Sequence, residues 1–127
     1  LTNRINDFCA KILALDKGIR FVGIANKEGT LIGHARRKGF VPLLNANETK
    51  MMLLQSMIRM GTRSTLEDKL GQTLYAFAHY KNVKRATIPM RNASGITHIM
   101  LVSFDPQTNH EPIIVGKILP AVEQFAV

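Results

Sequence analysis

The order in which hydrophobic spacing changes period constrains this chain more than any other feature of its sequence. Apolar residues recur once at helical spacing, twice at strand spacing, once again at helical spacing, three times at strand spacing and finally at helical spacing. Parallel neighbours need a crossover of a dozen residues or more, and the connections between consecutive strand-like runs are much shorter. The reading is therefore an α+β chain built on antiparallel hairpins. Its 127 residues give one domain, 1–127, with no linker, internal repeat or low-complexity tract. With 46% hydrophobic and 20% charged residues, the chain has the apolar surface that a disordered segment lacks.

Residues 2–15 place Ile5, Phe8, Cys9, Ile12 and Leu13 on one helical stripe, with Thr2 or Asn3 as cap and Gly18 as stop. Residues 20–25 and 30–35 form a hairpin around Asn26-Lys27-Glu28-Gly29, where Gly29 can supply a positive φ. Residues 36–47, with Pro42, form a connection. The next helix opens at Asn47-Glu48 and carries Met51, Leu54, Ile58 and Gly61 on one face and Leu53, Met57 and Met60 on its neighbour. That apolar arc is wider than one sheet face requires. Four of the six methionines lie in this helix, and Met serves both as an adaptable core residue and as a binding surface, so both uses remain open. Strands follow over 70–80, 83–90 and 96–104, with Pro89 at a strand end or where no ladder N–H is needed. A turn at 105–109 leads to a closing helix with Pro112 in its first turn; Ile114, Ile118, Ala121, Val122 and Phe125 mark its apolar side, and Pro120 kinks or interrupts it.

This order of elements resembles the roadblock family of the longin and profilin-like group over nearly the whole chain. The stretch Ala14-Leu15-Asp16-Lys17-Gly18-Ile19-Arg20-Phe21-Val22-Gly23-Ile24-Ala25-Asn26 is also similar to that of a family of small uncharacterised archaeal proteins, which supplies no function. The roadblock resemblance implies a five-stranded antiparallel sheet ordered 2-1-5-4-3, with the middle helix on one face and the terminal helices on the other. It further implies a non-catalytic dimeric module that scaffolds or regulates small GTPases.

Motifs for chemistry are sparse. Neither the P-loop pattern nor the dinucleotide fingerprint occurs, so no nucleotide hydrolysis and no cofactor is expected. His34, His79, His98 and His110 lack the spacing of metal ligands, and in the implied strand order His34 and His79 lie on opposite sheet edges. Cys9 lies on a buried stripe, where a thiol behaves as a small inert hydrophobe. Asp105, His98 and Ser103 have no nucleophile elbow, and Glu67-Asp68 reads as a solvated connection. An enzyme is not expected. No apolar run reaches the roughly 18 residues that span a bilayer, and Arg4, Asp7, Lys11 and Asp16 interrupt the first twenty residues. A lone cysteine points to a reducing, cytoplasmic setting.

Seventeen basic against nine acidic residues give a formal charge of +8, which biases encounters toward anions. In the implied strand order, Lys17, Arg20, Arg36, Arg37, Lys38, Lys81, Lys84 and Arg85 gather along one end of the sheet. These residues are either separate solvated charges or an anion-binding rim for nucleic-acid phosphates, an acidic protein or a phosphorylated ligand. Residues 74–80 form an edge strand without Pro, Lys, Arg, Asp or Glu, the residues that normally block edge pairing. A homodimer through Met51, Leu54, Met57, Ile58 and the edge residues Leu74, Ala76, Ala78 and Tyr80 would cover both this strand and the over-wide helix. Two other functions stay open: binding of nucleic acid by the rim, and sensing of a small ligand in a helix–sheet cavity lined by residues such as Phe21, Phe77 and Met100.

Overall fold

A computed structural model describes residues 2–127, with side chains described from Arg4 onward, so the cap expected at Thr2 or Asn3 lies outside the described side chains. Helix α1 (Thr2–Leu13) leads into β1 (Ile19–Ala25) and β2 (Leu31–Arg36), then α2 (Ala46–Ser64) and a short α3 (Glu67–Leu70). Strands β3 (Ala76–His79), β4 (Lys84–Asn92) and β5 (Gly95–Phe104) follow. The chain closes with α4 (His110–Ile113), a π-helical turn (Ile114–Ile118) and α5 (Leu119–Glu123). The sheet order is β2-β1-β5-β4-β3, all neighbours antiparallel, as the resemblance implies.

Strand alternation divides the apolar residues between two faces. On one face Val22, Ile24, Ala86, Ile88, Met90, Met100, Val102 and Phe104 meet Ile5, Phe8, Cys9 and Ile12 of α1 and Ile113, Ile114 and Ile118 of the closing helical segment. Phe8 and Phe125 stack at 3.9 Å between ring centroids, which ties the two terminal segments together. On the other face Ala25, Ile99 and Leu101 meet Leu53 and Met60 of α2. The α1 face holds the larger core, so α2 is the more lightly anchored layer.

Local chemistry explains the boundaries. Asn45 caps α2 by accepting from the Glu48 N–H at 2.8 Å while the Glu48 carboxylate accepts from the Asn45 N–H at 2.9 Å, so the helix starts just before the expected Asn47-Glu48. In the β1–β2 turn, Asn26 Oδ1 accepts from the N–H groups of Glu28 and Thr30, and Gly29 has φ +77°. Its would-be Cβ lies 3.1 Å from the Leu54 backbone, so this glycine also admits α2.

Three expectations need correction. The strand expected over 70–80 shrinks to Ala76–His79, because Leu70 ends α3 and Gly71 follows at φ +85°. Thr73 then gives its N–H to Glu67 Oε2 at 2.7 Å and its carbonyl to Arg91 Nη2 at 3.1 Å, leaving neither for a ladder. Glu67 is accordingly not part of a solvated connection. The closing helix is interrupted before Pro120, by a wide π turn that lets Pro120 enter near the start of α5 without an N–H to satisfy. Pro89, by contrast, agrees with the second of its two expected places: it is interior to β4, beyond the last β3 pair at Ala76 and Thr87, where β4 has a ladder neighbour on one side only.

Candidate interaction surfaces

The strand register collects the basic residues at one end of the sheet. Ile19 and Lys84 both lie opposite Phe104, His79 opposite Lys84, and Arg36 opposite Phe21. Asp105, immediately after β5, is the hub of that end. Arg37 binds it through two contacts of 2.7 and 3.0 Å, and Arg20 approaches it at 3.6 Å. The Arg37 hydrogen bonds hold the Asp105 carboxyl below its ordinary range and raise the Arg37 guanidinium in turn. Lys84 Nζ donates to the Thr108 carbonyl at 2.7 Å. The eight basic residues thus divide into two groups, with Lys17, Arg36, Lys38 and Lys81 exposed and Arg20, Arg37, Lys84 and Arg85 partly buried. They also divide by face, since Lys84 reaches the α4 side whereas Arg85 and Arg36 border the cleft under α2.

Helix α2 sits on the sheet through Leu53, Ser56 and Met60 and leaves Met51, Leu54 and Ile58 at 59%, 41% and 60% exposure. Met57 is half-buried against the smaller core, as is Ala76. Strand β3 is last in the sheet order, so its outer ladder has no partner among the described residues. Ala78 in this strand and Tyr80 just after it are exposed, and with Arg59 and Arg63 of α2 they border a shallow hollow. Leu74 is exposed but precedes the strand, which corrects its expected place on the edge.

The cavity expected around Phe21, Phe77 and Met100 does not form as one site. Phe21 is on the α2 face; Phe77 stacks on His110 at 3.8 Å on the opposite face, and Met100 is fully buried in the α1 core. A cleft of about 470 Å³ does open on the α2 face, between the first half of α2, the segment 40–45 and the sheet. Phe21, Leu31, Leu53 and Leu101 give it apolar walls, and Arg36, Arg85 and Ser103 are among its polar lining residues.

Other groups carry less chemistry. Burial pushes the Cys9 thiol up to about 11, far from a nucleophile's range. No three His, Cys, Asp or Glu side chains among the described residues stand close enough to hold a metal ion, and no described helix is long and apolar enough to cross a membrane. The sequence reading missed the two ion-pair anchors, Asp105 with its arginines and Glu67 with Arg91 (2.8 and 3.0 Å). Each joins segments distant along the chain, so no local spacing could announce it.

No protein-family model and no curated protein sequence matches this chain. Solved structures do. An MglB in a tetrameric arrangement superposes with a TM-score of 0.74 at 11% identity over 96% of this chain and 85% of that one. Myxococcus xanthus MglB gives 0.68 at 17% identity, covering 96% and 84%. A Roadblock/LC7 domain from Streptomyces avermitilis gives 0.63 at 6% identity, covering 93% of each. Identities this low speak for architecture alone, and that architecture, with its 2-1-5-4-3 sheet between α2 and the terminal helices, is the roadblock/longin-like fold.

Proposed function

We propose that this protein is a non-catalytic regulatory module that works as a pair of chains and engages a small GTPase in the cytoplasm. The carrying observation is that one chain leaves two features uncovered, the outer ladder of β3 and the apolar Met51, Leu54 and Ile58 face of α2. A second copy across a twofold axis covers both at once, pairing β3 with β3 and α2 with α2. The likeness to MglB in a tetrameric arrangement supports association of this kind. The choice of a small GTPase rests on the roadblock resemblance, and the exposed Lys17, Lys38 and Lys81 suit a partner with an acidic face.

Sedimentation velocity at tens of micromolar tests the pair. The expected outcome is a dimer that the double variant Leu54→Asp, Ile58→Asp converts to a monomer with unchanged circular dichroism, because both side chains are exposed in the single chain. A wild-type monomer at that concentration overturns the reading. For the partner, immobilised protein should retain a small GTPase from its own cells in one nucleotide state, with retention falling as salt rises and on Lys17→Glu, Lys38→Glu and Lys81→Glu together.

A further inference from the structure

Four residues stand in one row across the sheet beneath the first half of α2. Arg36 of β2 lies opposite Phe21 of β1, Phe21 opposite Ser103 of β5, and Ser103 opposite Arg85 of β4. All four border the 470 Å³ cleft, so an aromatic ring and a hydroxyl are flanked by two guanidinium groups. The volume lies within the range of small-molecule sites, which combine apolar walls with a few convergent polar groups.

The charge in this cleft lacks a counter-ion. No Asp or Glu borders it, while Lys50 and His34 add to the basic side. Arg85 Nε is buried without a hydrogen-bond partner, and neither Arg85 nor Arg36 is in a salt bridge among the described residues. Among the described residues, the one side-chain hydrogen bond of Arg36 is with His34 Nε2 at 3.3 Å. Burial disfavours the charged form of Arg85, an effect that Tyr80 opposes and Arg20 reinforces. Arg85 thus brings its charge to the cleft wall with no anionic partner, which an acceptor bound there would supply.

We propose that this cleft is a binding site for a small organic monocarboxylate with an apolar body. The carboxylate sits at Arg85 beside Ser103, where a planar guanidinium matches its two oxygens; the hydrocarbon part lies along Phe21, Leu31, Leu53 and Leu101, and Arg36, three strand spacings of about 4.8 Å away in the same row, adds positive charge at the far side. An inorganic phosphate would leave the cleft's apolar walls uncovered. A neutral lipid fragment would leave Arg85 and Arg36 without a counter-ion.

Octanoate, 1-octanol and octylammonium, titrated separately into ¹⁵N-labelled protein in its native oligomeric state, test the assignment. Octanoate should give saturable shifts at Phe21, Arg36, Leu101 and Ser103, at least tenfold tighter than 1-octanol, with no site-specific shifts from octylammonium. Arg85→Gln should weaken octanoate about tenfold or more and leave 1-octanol unchanged. Because Arg36 is exposed and outside the core, Arg36→Gln gives a second variant, with a several-fold loss expected, should Arg85→Gln fail to fold. The proposal is overturned by absence of saturable octanoate shifts at millimolar ligand. It also fails if octanoate and octylammonium bind equally, if octanoate affinity survives in every folded variant, or if a second copy of the chain fills the cleft. These readouts do not depend on any GTPase, so they stand or fall apart from the regulatory reading.

Discussion

Glu67 shows how much one residue decides when its partners are distant in sequence. Its carboxylate receives both Arg91 nitrogens and the Thr73 N–H, and hydrogen bonding to Arg91, then Thr73, lowers its pKa to about 2. An unfolded Glu titrates near about 4.3, so the stabilisation is complete above that value and is lost as pH falls through about 2. Glu67→Gln should destabilise the fold by about 1–3 kcal/mol at neutral pH in urea melts and flatten the decline in stability between about pH 4.5 and 2. Cys9 offers a second check at this scale. Fully buried and with its thiol raised to about 11, it should resist iodoacetamide in the native protein and react readily in urea. That inertness was legible from the stripe of Ile5, Phe8 and Ile12 around it. The Glu67–Arg91 clamp was not, because two charges far apart in sequence carry no periodic signal.

At the scale of elements, the helical stripes and strand alternations were readable wherever a single face was buried. The β1–β2 hairpin and its Gly29 turn, the β4–β5 hairpin and the amphipathic α1 all follow from local spacing. Strand β3 did not, because residues 70–75 have strand-like composition, yet α3 ends only at Leu70, Gly71 turns the chain, and Thr73 gives its N–H to Glu67 and accepts from Arg91 at its carbonyl. The wide arc of α2 was also readable, and the structure resolves it into a buried side with Leu53 and Met60 and an exposed side with Met51, Leu54 and Ile58. Met60→Ala should therefore cost about 2–5 kcal/mol by leaving a cavity under a lightly anchored helix, measured by urea denaturation. Gly29→Ala should cost about 1–2 kcal/mol or more, from its left-handed conformation and its approach to the Leu54 backbone, measured the same way.

For the whole molecule, the consequential facts are where the sheet places charge and which surfaces it leaves bare. The basic residues do meet at one end, but Asp105 engages Arg20 and Arg37, and strand alternation sends Lys84 and Arg85 to opposite sides. Charge-reversal of Lys17, Lys38 and Lys81, which are exposed, should thus weaken binding of anionic partners more than reversal of Arg20, Arg37 and Lys84, compared in salt titrations. The sequence by itself determined the order of elements, the antiparallel hairpins and the apolar stripes, because spacing at periods of 2 and 3.6 is a local record of which faces are buried. Only the tertiary structure decided that Asp105 and Glu67 are anchors, that β3 is short, and that Arg36 and Arg85 flank a cleft with Phe21 and Ser103. Each of these depends on cross-strand register and on side chains meeting across long loops, and neither leaves a trace in local spacing.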